Sequence, residues 1–179
     1  LNVEFPPTTT LNGPTDGVWS QTKLVNLSWT TSTAFDSGTQ INTRVYSNES
    51  GEWLPVTGTI QATNNTQKDY SYNFNEKSAI SWTIQAMQQN NGAVYNISVN
   101  RTIKIDATNP VISVSTGNTT TSDTTPEIIA TITDVNLQVL RVFTNFSGTW
   151  AVNSTNLSLS SGTEANYFNN TVVADGVYI

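Results

Sequence analysis

The sequence predicts an all-β protein built as two successive β-sandwiches, the second of them incomplete within these 179 residues. Three observations carry that expectation. Sustained helical periodicity is absent, and the β-branched Thr, Val and Ile dominate throughout. Apolar and polar residues alternate with a period of two over several long runs. One stretch of the first half returns almost unchanged in the second half, which marks a duplicated unit.

Along the chain, LVNLSWT (residues 24–30) sets Val25, Leu27 and Trp29 on one side and Asn26, Ser28 and Thr30 on the other, as a half-buried antiparallel strand does. KDYSYNF (68–74) repeats the pattern with Tyr70, Tyr72 and Phe74. Ile80, Trp82, Ile84 and Ala86 then alternate with Ser81, Thr83 and Gln85. Tyr95, Ile97, Val99, Ile103 and Ile105 alternate with polar neighbours and read as one further long strand. The turn signals NGPTDG, ESGE and QNNG separate these runs. Their spacing fits a sandwich of the immunoglobulin-like size class, about 100 residues.

The repeat is RVYSNESGEW (44–53), which returns as RVFTNFSGTW (141–150) with Arg, Val, Asn, Ser, Gly and Trp identical. VNLSW (25–29) falls on IIATI (128–132), so Val25, Leu27 and Trp29 correspond to Ile128, Ala130 and Ile132. The opening LNVEFPP resembles IKIDATNP (103–110), and residues 1–5 therefore read as the closing strand of a preceding unit. The expected division is a first sandwich at 1–106 and a second at 107–179 that lacks its last strands, with ADGVYI (174–179) matching the approach to SAISWTIQA. Two completions are open: continuation of a longer array, or donation of a strand by a neighbour, with Leu1, Val3 and Phe5 on its inward face. LQVLRVF (137–143) is apolar on both faces, which calls for a register-resetting bulge or a docked partner.

Composition removes several chemistries. With no His and no Cys the chain has no Ser-His triad, no thiolate nucleophile, no zinc finger and no iron–sulfur ligation. Seven Lys and Arg against thirteen Asp and Glu give a net charge of -6, which disfavours nucleic acid and anionic membranes. The longest apolar runs fall far short of the ~20 residues that span a bilayer, so no direct membrane insertion is expected. Carboxylates alone remain for catalysis. Glu49 and Glu52 flank one hairpin tip, but Phe146 and Thr149 stand there in the second copy, so a solvated turn rather than a glycosidase pair is expected and the chain is read as no enzyme. No cofactor is expected. Asp106, beside Asn109 at the junction, is the one place considered for structural Ca²⁺, although no Asp-rich loop accompanies it.

The repeated hairpin, the DG.Y signal at 175–178 and the D.T.P linker at 106–110 resemble the tandem immunoglobulin-like and fibronectin-III-like modules of bacterial and archaeal cell-surface proteins. That resemblance implies S-layers, stalks, filaments and adhesins. Ten Asn-X-Ser/Thr sequons, at Asn26, Asn48, Asn64, Asn96, Asn100, Asn118, Asn145, Asn153, Asn156 and Asn169, exceed the roughly six that 22 Asn and 48 Ser plus Thr would place by chance. Trp29 and Trp82 lie on the apolar parity and belong to the core. Trp53 and Trp150 follow equivalent turns, where they either anchor the hairpin or stack on a sugar. The functional expectation is a structural, N-glycosylated extracellular module, most plausibly archaeal, that forms homo-oligomers or polymers with copies of itself. The alternatives are an adhesin or carbohydrate-binding module using Trp53 and Trp150, and an accessory domain of a secreted enzyme.

Overall fold

The computed structural model describes residues 5–34, 40–89, 92–115, 127–145 and 148–168, and every regular element among them is a strand. No helix among the described residues is long and apolar enough to cross a membrane. The chain divides into two compact units, Leu1–Ala107 and Thr108–Ile179.

In chain order the first unit forms β1 (Thr8–Gly13), β2 (Val18–Ser20), β3 (Leu24–Ser32), β4 (Gln40–Ser47) and β5 (Leu54–Pro55). It continues with β6 (Ile60–Thr63), β7 (Gln67–Asn73), β8 (Lys77–Gln88), β9 (Tyr95–Ile97) and β10 (Arg101–Ile105). One sheet has the order β1-β3-β7; the other runs β2-β10-β8-β4-β5, with β6 also pairing β4 and β9 also pairing β8. All these pairings are antiparallel except β2 with β10, which run parallel.

The alternation in the sequence decides what lies between the sheets. Val25, Leu27 and Trp29 of β3 are buried from one side, and Ile80, Trp82, Ile84 and Ala86 of β8 from the other. Val45 of β4 and Ile103 and Ile105 of β10 join the same cluster, together with Leu11 and Phe74. Because both sheets contribute inward residues to one core, the unit is a β-sandwich of immunoglobulin-like connectivity.

The run from Tyr95 to Ile105 departs from the expected single strand. Between the pairs Ile97↔Gln85 and Arg101↔Trp82 the chain carries one more residue than β8 does, a bulge. Ser98 occupies the break: its N–H donates to the Ile84 carbonyl at 2.9 Å, and its Oγ accepts the Ile84 N–H at 3.1 Å. One inserted residue exchanges the faces of everything beyond it. Tyr95, Ile97 and Val99 are consequently exposed, while Ile103 and Ile105 are buried.

The second unit comprises β11 (Val111–Val114), β12 (Glu127–Thr133), β13 (Leu140–Thr144), β14 (Ala151–Asn156) and β15 (Thr163–Phe168). β12 is the centre of the sheet β11-β12-β15, as β3 is in β1-β3-β7, and β13 pairs β14. Ala130 and Ile132 are buried where the repeat sets them against Leu27 and Trp29. The doubly apolar segment keeps an unbroken alternation, with Leu140 and Val142 half-buried, Thr144 buried, and Val139, Arg141 and Phe143 exposed; the register shift beside Val142 and Phe143 adds its extra residue, Asn153, to β14 and does not reset β13 as expected. Counterparts of β8 and β10 are not among the described residues of this unit, and residues 1–4 and 169–179 lie outside the description.

Leu27→Ala is expected to cost about 2–5 kcal/mol by denaturant titration, because it empties a fully buried site. Leu24→Ala, three residues earlier on the exposed end of β3, is expected to stay within about 0.5 kcal/mol of the parent.

Candidate functional site

The two copies of the repeated hairpin fold alike. In the first, Gly51 N–H donates to the Asn48 carbonyl at 2.8 Å; in the second, Gly148 N–H donates to the Asn145 carbonyl at 2.8 Å. Gly51 and Gly148 have φ of 98° and 84°, a backbone that residues with a Cβ rarely adopt, and open space surrounds both. The turn therefore requires glycine for its conformation and not for room. Strand registers agree as well: Tyr46↔Pro55 and Ser47↔Leu54 recur as Phe143↔Val152 and Thr144↔Ala151. Beyond each turn a tryptophan stands largely in solvent, Trp53 at 43% and Trp150 at 58% exposure. Arg44 reaches Thr59 Oγ1 through its Nε at 3.3 Å and is half-buried, whereas Arg141 is exposed.

The first turn is tied to strands outside the hairpin. Asn48 N–H donates to the Ser81 carbonyl at 3.1 Å and Asn48 Oδ1 accepts the Ser81 N–H at 2.7 Å, so this asparagine ties the hairpin to β8. Glu49, expected to be a solvated turn residue, is instead a clasp. Its Oε1 accepts the Asn75 N–H, its Oε2 accepts the Tyr72 hydroxyl at 3.4 Å, and its carbonyl accepts Lys77 Nζ at 3.0 Å. Sequence spacing gave no sign of this because Tyr72, Asn75 and Lys77 arrive from the distant β7–β8 connection. Burial, reinforced by the Glu49 carboxylate, raises the Tyr72 phenol above its ordinary value of 10. Glu52 remains exposed.

No protein-family model and no curated protein matches the chain. Among solved structures, the native conformation of Escherichia coli alpha-2-macroglobulin is similar at 8% identity and a TM-score of 0.37, covering 99% of this chain and 14% of that one. The chain thus spans about one-seventh of that protein's length, and nothing about a site or an activity passes from it.

The sequons sort by exposure. Asn26, Asn96, Asn100 and Asn153 are exposed, although Asn26 Nδ2 comes within 3.5 Å of Asp69 Oδ1 and Asn153 Nδ2 within 3.1 Å of Thr144 Oγ1. Asn48, Asn145 and Asn156 are half-buried, with Asn156 Oδ1 accepting the Ser158 N–H at 2.8 Å. Asn64 departs from the expected acceptor role. Only 5% exposed, its Oδ1 accepts the Thr33 N–H at 2.9 Å and its Nδ2 donates to the Thr33 carbonyl at 3.3 Å, so the amide closes the β6–β7 end of the sandwich. Asn118 and Asn169 lie outside the described residues.

Asp106 follows β10 directly and its N–H donates to the Ser20 carbonyl at 3.0 Å. Among the described residues no three acidic side chains gather in a way that would hold a metal ion. Sequence reading passed over Trp19. It pairs in register with Lys104, whose Nζ lies 5.5 Å from the ring centroid, and only the parallel β2–β10 pairing brings the two together.

Glu49→Ala is expected to lower stability by about 0.5–1.5 kcal/mol in denaturant titration, since it removes the acceptor of the Asn75 N–H and the Tyr72 hydroxyl. A phenol whose pKa is higher folded than unfolded contributes stability that is fully present below pH 10 and lost as pH rises beyond it. The melting temperature of the parent is therefore expected to fall more steeply above pH 10 than that of Tyr72→Phe, as a pH series by circular dichroism would register.

Proposed function

We propose that this chain is a structural module of a glycosylated extracellular layer or filament protein, acting through self-assembly and not through catalysis. The observation that carries the reading is the duplicated hairpin, two copies with one turn, one strand register and one tryptophan position. Repetition of a folding unit is how extended proteins gain length without enlarging a single core.

The surface supports the same reading. The β3 and β7 outer face presents Asn26, Thr30, Gln67, Asp69 and Ser71, a neutral polar wall except for one carboxylate. Glycans on the exposed asparagines would solubilise such a wall, which has few charges with which to do so. The carboxylates add no catalytic pairing: Glu49 is held in hydrogen bonds and Glu52 is not repeated.

Protein isolated from its native source is expected to carry hexose-rich mass on Asn26, Asn96, Asn100 and Asn153 and none on Asn64, as read by site-resolved mass spectrometry. Bare asparagines at all four exposed sites, or a purified chain that stays monomeric under electron microscopy and sedimentation at high concentration, would overturn the reading.

A further inference from the structure

Six residues are identical between the two hairpins, and four of them have a structural reason to be. Val45 fills the core and Val142 is half-buried at the same position. Asn48 and Asn145 accept the turn hydrogen bond, and Gly51 and Gly148 supply its left-handed backbone. Ser50 Oγ donates to the Glu52 carbonyl at 3.3 Å across the turn. Arg44 and Arg141, with Trp53 and Trp150, are left over. The arginines engage the fold through one Nε at most, and the indoles stand largely in water. A large apolar ring kept in solvent at the same place in two copies is explained by something that covers it.

We propose that each hairpin is a docking strip for an acidic polysaccharide, with Trp53 and Trp150 stacking on sugar rings and Arg44 and Arg141 pairing with sugar carboxylates. The charge pattern selects the ligand class. In a chain of net charge -6 the repeat preserves a cation and discards the acids, for Glu49 and Glu52 are replaced by Phe146 and Thr149. A guanidinium matches a carboxylate in two parallel hydrogen bonds, while a neutral sugar gives it no such partner.

The shape argues for a chain-like ligand. Arg44 stands four positions before the turn at Asn48, about 13 Å of extended strand, with Tyr46 between them on the same face. That is a narrow strip, well short of the ~800 Å² per partner of a stable protein interface. A polymer presents the same group many times over, which suits a protein that presents the same strip twice. Since Glu52 precedes Trp53 in the chain where Thr149 precedes Trp150, the second strip is the tighter of the two.

The test is titration calorimetry of the full chain against polygalacturonate, with dextran as a neutral counterpart. Polygalacturonate binding that weakens with added salt is expected, and dextran binding at least about tenfold weaker. Trp150→Ala and Arg141→Gln are each expected to reduce affinity about fivefold or more, and Trp53→Ala and Arg44→Gln less. Trp19→Ala serves as the control that leaves binding unchanged, and Trp150→Tyr is expected to retain part of the affinity because it keeps a stacking ring. Melting curves taken alongside establish that each variant is folded. Failure to bind polygalacturonate, equal binding to dextran, or undiminished binding by the folded Trp150→Ala and Arg141→Gln variants overturns the proposal. So does a dimer that these substitutions dissociate, which would make a second copy the occupant. Binding or failure to bind polygalacturonate leaves self-assembly and glycosylation untouched, so on that readout the structural role stands or falls separately.

Discussion

The first unit depends on two indoles shut between its sheets. Trp29 arrives on β3 and Trp82 on β8, both are completely buried, and the remaining core residues fit around them. Among the described residues their Nε1–H groups find no hydrogen-bond partner. Each such donor costs about 1–3 kcal/mol. Burying an aromatic body of roughly 150–250 Å² returns about 4–6 kcal/mol, so the apolar term wins at both positions. The strand alternation of β3 and β8 exists to deliver those rings inward, and the polar outer faces are its necessary counterpart.

What could be read from the sequence was whatever a strand decides locally. Val25, Leu27 and Trp29, and Ile80, Trp82, Ile84 and Ala86, were set inward by a period of two and are found there. The hairpin repeat was equally legible, since its turn glycine and its register are fixed within ten residues. The bulge at Ser98 was not. It substitutes a side-chain hydroxyl for a backbone partner, so the alternation from Tyr95 to Ile105 continues on paper while the chain changes face in space. Glu49 was misjudged, and the burial of Asn64 was not foreseen, for a related reason. Each is defined by a partner far along the chain, Asn75 and Tyr72 for the one and Thr33 for the other. Of the candidate site, the exposure of Trp53 and Trp150 was foreseeable from their place after a turn, whereas the ties of the first turn to strands outside the hairpin were not.

Duplication has kept the turn, although the residue after its asparagine differs. Asn48 and Asn145 hold the same position and accept the same turn bond, but the glutamate clasp of the first copy has a phenylalanine, Phe146, in its place in the second. The hairpin geometry is therefore intrinsic to the Asn-X-Ser-Gly turn and its flanking strands. The clasp belongs to the first copy, where Glu49 stands.

The bonds that close the first sandwich are drawn mostly from groups that carry no charge. Asn64 holds Thr33, Asn48 holds Ser81, Ser98 holds Ile84 and Thr43 Oγ1 donates to Ile60, all through amides and hydroxyls. Such groups neither titrate nor attract counterions. The chain also lacks histidine, the side chain whose ordinary pKa lies nearest neutrality. Acidity and brine act on proteins mainly through their charges, so these four closures give them nothing to act upon, whereas the Glu49 clasp does.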